Sequence, residues 1–309
     1  SSGHESCYDQ FILYFSNAIS SVRFKLTIGN RCMSNVSLLD CVVITGSSKG
    51  IGLGLAKAFL SLGWAVVISA RNEEQIQQTI QQLTEQFESK NILGLCCDVT
   101  QKDQLQQLWN TAIQHFGRIN VWINNAGNCH ATQAFIGMTE YELNSVLQTN
   151  LLGTMLGSQV ALQGMLKQGF GQIFNMEGWG SRGEWSAGMT VYGTTKRAIS
   201  YFSQALYRES KSTPILVGTL SPGMVATDLL ISSWQNGNVQ NWKKMKRLFL
   251  FIIDPPEKVC AYLAQGIINN KKTNVRIVWM TPWRLLIRFF QPYYWRRNPI
   301  KDTALEHLK

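Results

Sequence analysis

The sequence predicts an α/β protein built on one doubly wound, seven-stranded parallel sheet. Short apolar runs rich in β-branched residues recur along the chain, and segments of helical length separate them. Strands that are buried on both faces need such near-continuous apolar runs, and parallel neighbours need a crossover between them. The seven predicted strands are CVVIT (41–45), AVVIS (65–69), ILGLCC (92–97), INVWIN (119–124), QIFNM (172–176), ILVGTL (215–220) and VRIVWM (275–280).

The intervening segments fit helices. Leu55, Phe59 and their apolar neighbours follow helical spacing after the first strand, whereas residues 75–88 are polar enough to lie outside. This alternation predicts a single domain over residues 39–280. Residues 1–38 form an N-terminal extension whose opening SSGH resembles an expression-tag scar, and residues 281–309 form a basic, amphipathic C-terminal tail.

Charge and cysteine content narrow the environment of the chain. The net charge is +10, and residues 241–301 contain thirteen Lys or Arg against only Asp254 and Glu257. Such a bias indicates membrane headgroups or an acidic protein as a neighbour, and we expect no nucleic-acid partner. Seven cysteines without a C-x-x-C pair predict a reducing compartment and no metal site. No apolar run reaches the roughly 18 residues that span a bilayer.

A glycine-rich turn, GSSKGIG (46–52), lies between the first strand and the first helix. Glycines let the backbone approach a pyrophosphate, and a helix N-terminus offers free N–H groups. Arg71 ends the second strand, where an NAD-binding fold places an acid, so Arg71 and Lys49 favour NADPH over NADH. Two solvated surface cations are the alternative. The third and fourth strands end at the same edge, in Asp98, Val99, Asn125, Ala126 and Gly127.

Tyr192 and Lys196 are four residues apart, which places a phenol and an ammonium on one helix face. Such a pair supports proton transfer. Just before it, the chain has Glu177, Gly178 and Trp179 where a small hydroxyl would be expected.

Six motifs in order resemble the short-chain dehydrogenase/reductase family, over about residues 40–280. They are TGSSKGIG (45–52), DV (98–99), NNAG (124–127), Asn150 in QTNLLG, Tyr192-x-x-x-Lys196 and SPGMVAT (221–227). The resemblance implies a Rossmann-type fold and pairing of subunits through the helices that carry Asn150 and Tyr192. The cofactor residues that it implies, together with the glycine turn, are Gly46, Ser48, Lys49, Gly50, Ile51, Gly52, Arg71, Asp98, Val99, Asn125, Ala126, Gly127, Tyr192, Lys196, Pro222, Gly223 and Thr227.

The resemblance also implies catalytic roles. Tyr192 would protonate a carbonyl oxygen, and Lys196 would favour the ionised phenol and bind the nicotinamide ribose. Asn150 would hold a water that links Lys196 to solvent, and Thr227 would meet the carboxamide. The usual substrate-orienting serine falls on Gly178, so we expect Ser181 to reach back in its place.

The stretch in which Gly178 replaces the usual serine narrows the resemblance to one group within the family. FNMEGWGS followed by VYGTTK is similar to chlorophyll b reductases of the non-yellow-colouring type. This implies NADPH-dependent reduction of the 7-formyl group of chlorophyll b or chlorophyllide b to a 7-hydroxymethyl group. It also implies a chloroplast location on the stromal side of the thylakoid, peripheral contact with that membrane or an antenna protein, and a homo-oligomer or a complex with a paralogue.

A wide, apolar substrate site would agree with this reading. Trp179 and Trp185 offer faces for stacking, although core packing is equally expected for them, and Glu177 would either orient the substrate or cap a backbone group. Residues 228–256 would form a basic and apolar substrate lid. In the tail, Trp283 and Phe290 share one helix face, which would pack on the same subunit, on another subunit or on a membrane.

Two other functions remain open at this point. A membrane-associated reductase of steroid, retinoid or other lipid carbonyls would share the lid and tail but should keep the serine. A non-catalytic dinucleotide-binding subunit would explain the lost serine, but the retained Asn150, Tyr192 and Lys196 argue against it.

Overall fold

The computed structural model describes residues 39–227, 229–230 and 250–300. Within these residues lies the predicted seven-stranded sheet, with every pair of neighbours parallel and the order β3-β2-β1-β4-β5-β6-β7. The strand order reverses between β1 and β4, which is where doubly wound sheets bind their ligands. The strands are β1 (Cys41–Ile44), β2 (Ala65–Ala70), β3 (Ile92–Cys96), β4 (Val121–Asn124), β5 (Gly171–Met176), β6 (Ile215–Ser221) and β7 (Val275–Val278).

Helices connect the strands and cover both faces of the sheet. A π-helical turn at Gln148–Leu152 joins the fourth and fifth of them. The helices are α1 (Gly50–Ser61), α2 (Glu73–Thr84), α3 (Lys102–Phe116), α4 (Glu140–Leu147), α5 (Gly153–Gln168), α6 (Thr190–Ser210), α7 (Pro256–Ile268), α8 (Pro282–Phe289) and α9 (Pro292–Arg296).

The sheet separates two apolar cores because successive strand residues point to opposite faces. In β1, Val42 and Ile44 join the core that α1 and α7 complete, whereas Cys41 and Val43 join the core beneath α3 and α5. All four residues are fully buried. Burial on both faces explains why the strand sequences show little alternation between apolar and polar residues.

The carboxyl ends of the central strands are tied together by buried amides. Asn124 ends β4 and donates from Nδ2 to Oδ1 of Asn175 in β5 at 2.8 Å, and Asn175 donates to Ser203 of α6 at 2.9 Å. Neither asparagine is exposed. These bonds fix α6 against the edge of the sheet where the predicted site residues lie.

The C-terminal tail begins with α8, which Thr281 caps and which has Pro282 in its first turn. The predicted apolar face, however, does not pack on the subunit, since Trp283 and Phe290 are 73% and 74% exposed. None of the helices in the described part of the chain is long and apolar enough to cross a bilayer. Residues 1–38 and 301–309, and the predicted lid except 229–230 and 250–256, lie outside the described residues.

Candidate active site

The glycine turn after β1 is a close-packed cradle. A Cβ atom at Gly52 would lie 2.5 Å from the carbonyl oxygen of Gly46, so only glycine fits there. Asn125, after β4, donates from Nδ2 to the carbonyl oxygens of Thr45 and Gly46, both at 2.9 Å. The side chain of Asn125 therefore holds the turn in shape, a positioning role that the motif alone does not reveal.

The turn after β6 faces this cradle. A Cβ atom at Gly50 would lie 3.5 Å from Cγ2 of Thr227, which brings the predicted carboxamide-binding residue opposite the glycine turn. Lys49 and Arg71 are exposed at the same edge, as a 2′-phosphate site requires. Asp98 uses one carboxylate oxygen to accept from N and Oγ1 of Thr100, both at 2.9 Å, and so shapes the end of β3. These residues fit a nicotinamide dinucleotide.

Tyr192 and Lys196 lie buried in α6, with Nζ of Lys196 5.6 Å from the centroid of the Tyr192 ring. Nζ donates to the carbonyl oxygen of Met176, at the end of β5, at 3.2 Å. Burial lowers the pKa of Lys196 to about 8, against the opposing effects of Cys129 and Glu177. Burial raises the pKa of Tyr192 above its ordinary value. The role of Lys196 in favouring the ionised phenol stays a prediction.

Asn150 lies in the π-helical turn between α4 and α5 and is fully buried. Its Oδ1 accepts from the amide of Asn128 at 2.6 Å, and its Nδ2 donates to the Asn128 carbonyl at 2.9 Å and to Oγ1 of Thr195 at 3.1 Å. Asn150 therefore links the segment after β4 to α6, one residue from Lys196. Its water-holding role stays a prediction.

Gly178 lies directly against the predicted catalytic pair, Tyr192 and Lys196. A Cβ atom there would be 2.5 Å from Oη of Tyr192 and 3.1 Å from Cε of Lys196. A serine cannot occupy this position without moving the loop or the tyrosine. The backbone at position 178 therefore passes too close to the phenol to leave room for a side chain.

Ser181 does reach back, but to the backbone. Its Oγ accepts from the Gly178 amide at 3.0 Å, and its own amide donates to the Gly178 carbonyl at 3.1 Å. The side chain is buried. These two bonds close the loop that places Gly178 beside Tyr192, and a direct contact of Ser181 with substrate stays a prediction.

Glu177 is buried and paired with a partner that the sequence reasoning missed. Its Oε2 accepts from Nε of Arg276, in β7, at 2.7 Å, and Arg276 also donates to Oγ of Ser221 at 3.0 Å. The available signal was a lone arginine in the otherwise apolar strand VRIVWM. Whether Glu177 also orients the substrate stays a prediction.

The two loop tryptophans are not core residues. Trp179 is 45% exposed and Trp185 is 80% exposed. The alternative that both pack in the core is therefore wrong. Their faces are available to a ligand, and their stacking on substrate stays a prediction.

Comparison with known proteins agrees with this geometry. The family model for short chain dehydrogenases matches residues 40–238. The chain is 36% identical over 231 residues to the chlorophyll(ide) b reductase NOL, chloroplastic, of Arabidopsis thaliana, covering 73% of this chain and 64% of that protein. It is 32% identical over 262 residues to the probable chlorophyll(ide) b reductase NYC1, chloroplastic, of the same plant, covering 80% and 51%. The chain thus spans about half to two thirds of these relatives.

Solved structures share the fold. The structure titled "ElxO with NADP Bound" superposes with a TM-score of 0.66 at 25% identity, covering 78% of this chain and 97% of that one. A 3-ketoacyl-(acyl-carrier-protein) reductase from Brucella melitensis complexed with NADH gives a TM-score of 0.67 at 20% identity, covering 77% and 96%. The fold, the ordered motifs and the family match agree: the chain belongs to the short-chain dehydrogenase/reductase family of NAD(P)-dependent oxidoreductases.

Proposed function

We propose that the chain is an NADPH-dependent carbonyl reductase whose substrate is the 7-formyl group of chlorophyll b or chlorophyllide b. Two relatives carry the name chlorophyll(ide) b reductase. Both are also named as chloroplastic. We propose the same compartment for this chain and, within it, the stromal side of the thylakoid. The single observation that carries the substrate class is the close approach of Gly178 to Oη of Tyr192.

That approach suits a large, flat substrate. Position 178 places backbone but no side chain beside the phenol, and the exposed rings of Trp179 and Trp185 lie in the same loop. A tetrapyrrole needs a wide, apolar site with few polar anchors, because most of its surface is apolar. A small ketone would gain nothing from the missing side chain.

The residues of the chain supply the proton and the position. When bound, NADPH would supply the hydride, and Lys49 and Arg71 would pair with its 2′-phosphate. Tyr192 holds a proton on Oη at neutral pH, since burial raises its pKa, and donates it to the formyl oxygen. The ammonium of Lys196 then stabilises the phenolate that remains. Asn150 and Thr195 hold the adjoining backbone in place.

Replacing Ser181 by alanine is expected to lower turnover by more than about tenfold, which corresponds to roughly 1.4 kcal/mol. The substitution leaves the partly buried Gly178 amide without its acceptor and loosens the loop beside Tyr192. Steady-state kinetics would measure the effect. Thr194→Ala is the matched control, because this hydroxyl is exposed and bonds only within α6. Equal turnover in the two variants would remove Ser181 from the mechanism.

The rate of reduction in the first turnover is expected to fall as the pH rises through about 8. Burial lowers the pKa of Lys196 to about 8, so the ammonium that stabilises the phenolate is lost above that pH. Because the charge of Glu177 opposes this shift, Glu177→Gln should move the inflection to lower pH. Stopped-flow rates between neutral and alkaline pH test this, with Glu140→Gln on α4 as control. A rate that stays constant from neutral pH to well above pH 8 would contradict the role of Lys196.

A substrate panel tests the proposed function. The purified chain is given NADPH or NADH with chlorophyllide b, retinal or a steroid ketone. We expect the 7-hydroxymethyl product from chlorophyllide b, faster with NADPH. Turnover of retinal or the steroid alone would favour a lipid-carbonyl reductase. Cofactor binding without any turnover would favour a non-catalytic subunit. Either result would overturn the proposal.

A further inference from the structure

The tail of the described chain presents its apolar side chains to solvent. Helical spacing places four of them on one side of α8, and a tyrosine of α9 follows. All are half or more exposed apart from Leu286, which is 48% exposed. We call this surface the tail face, and it consists of Trp283, Leu286, Ile287, Phe290 and Tyr293.

The arginines of α8 point the other way. Arg288 is buried, pairs with Asp254, and donates to the carbonyl oxygen of Ile252 at 3.1 Å. Arg284 lies over the rings of Tyr262 and Trp279, with its guanidinium carbon 4.2 Å from each centroid. A helix on the surface of a globular domain normally buries its apolar stripe. Here polar anchors hold the helix, so the tail face is not needed for folding.

The second anchor lies in the segment after α9. Arg297 donates to the other carboxylate oxygen of Asp254 at 2.7 Å and to the carbonyl of Ile253 at 2.6 Å. A ring contact between Phe289 and Trp295, with centroids 5.3 Å apart, joins α8 to α9. The two helices are therefore held as one unit, with the tail face outward. Contiguous exposed apolar surface of this kind marks a partner or a membrane.

The chemistry of the tail favours a bilayer over a protein partner. Tryptophan and tyrosine, which the tail face presents, concentrate at membrane–water interfaces because one end of each ring is apolar and the other polar. Residues 281–300 contain four arginines and no acid, and Arg296 is exposed. Positive charge beside an apolar face matches an anionic lipid surface.

We infer that the tail face docks onto the surface of an anionic bilayer, with Trp283 and Phe290 inserted and Arg296 at the headgroups. The inference deepens the proposed function. It depends on that proposal in one respect only, namely that the substrate is lipid-soluble. Asp254, which Arg288 and Arg297 hold, pairs as an isolated bridge with Val225, two residues before Thr227. The docked face is thus joined to the edge of the active site.

Vesicle binding by the full chain tests the inference without any assay of activity. The protein is sedimented with vesicles of phosphatidylcholine alone or mixed with phosphatidylglycerol, at low and high salt. We expect binding to the mixed vesicles that weakens with salt. The double variant Trp283→Ser, Phe290→Ser should bind the mixed vesicles at least about tenfold more weakly, because each substitution removes an inserted aromatic ring. The matched control is Ile136→Ser, Tyr201→Ser, at two exposed apolar positions away from the tail.

Each outcome of the vesicle experiment either supports or overturns docking of the tail face on a bilayer. Binding that the tail variant loses and the control variant keeps would establish the tail face as the lipid-docking surface. No binding by the unmodified chain, or equal binding by the tail variant, would overturn it. A dimer in analytical ultracentrifugation that only the tail variant loses, without vesicle binding, would assign the face to a second copy instead. Unchanged NADPH binding would show that both variants are folded. If the vesicle experiment overturned the docking proposal, the carbonyl-reductase proposal would remain intact.

Discussion

Tyr192→Phe is expected to lower the rate of carbonyl reduction by about a hundredfold to ten-thousandfold, the usual contribution of a positioned general acid. The phenol is buried beside Gly178 and Lys196, and burial raises its pKa, so Oη carries the proton that the proposed reaction needs. Removal of one oxygen leaves the backbone hydrogen bonds of α6 in place. NADPH affinity, measured by fluorescence titration, should therefore stay close to that of the unmodified chain.

The control for this substitution lies on the same helix. Tyr201 is 74% exposed in α6, so Tyr201→Phe removes a phenol oxygen from the same element at a distance from Lys196. We expect its turnover to match the unmodified chain. If Tyr192→Phe kept more than about a tenth of the turnover, the assignment of Tyr192 as the acid would be wrong.

Asp254→Asn is expected to destabilise the fold by about 3 kcal/mol or more, the typical cost of removing one member of a buried ion pair. The carboxylate is fully buried and accepts from Arg288, Arg297 and Nε1 of Trp279. Without its charge, two buried guanidinium groups lose their counter-ion. A loss of this size lowers the midpoint of thermal unfolding on the order of 5–10 °C, measurable by circular dichroism.

The dependence of stability on pH in acid gives the Asp254→Asn prediction a second measurement. Burial alone would raise the pKa of Asp254, but hydrogen bonds from Arg288, Arg297 and Trp279 lower it below its ordinary value. The stabilisation is therefore present above about pH 4, the ordinary value for Asp, and is lost as the pH falls through the lower value in the folded state. The stability difference between the unmodified chain and Asp254→Asn should shrink in acid.

A half-exposed pair serves as the control. Asp40 pairs with Arg118 at 2.8 Å, and the two side chains are 46% and 30% exposed. Pairs this accessible to water contribute about 1 kcal/mol or less. Asp40→Asn should therefore cost little. Equal losses for the two substitutions would show that burial of Asp254 is not what makes it important.

The sheet could be predicted because parallel strands buried on both faces leave a plain signature in the sequence. The predicted runs and the observed strands overlap in all seven cases, and the differences lie at the ends. INVWIN, for example, becomes a strand only at Val121, and the Asn120 side chain just before it donates to Oδ1 of Asp40 at 2.8 Å. Local sequence cannot reveal such a contact, since its partner is 80 residues away.

The catalytic helix and the glycine turn were predictable for a similar reason. Their chemistry depends on spacing within one element, as with Tyr192 and Lys196, or within one turn. The ion pairs Glu177–Arg276 and Asp254–Arg288 join residues that are 99 and 34 positions apart. With many cations in the C-terminal region, the sequence does not indicate which of them a buried acid selects.

The orientation of the tail shows a further limit. The pattern identifies an apolar face on α8, but burial of Arg288 against Asp254 turns that face outward. The state of Tyr192 is a similar case, because its pKa depends on how completely the fold buries it. Both results are set by packing, which the periodicity of the sequence does not contain.

Transfer of deuterium from the cofactor to the pigment tests directly whether the chain reduces the 7-formyl group. The chain is incubated with chlorophyllide b and NADPH that carries deuterium at the transferable position of the nicotinamide ring, and the product is analysed by mass spectrometry. We expect a 7-hydroxymethyl product with one deuterium on the new carbinol carbon, and almost none with Tyr192→Phe. Failure of the unmodified chain to form this product, or a product without the label, would contradict the proposed reduction.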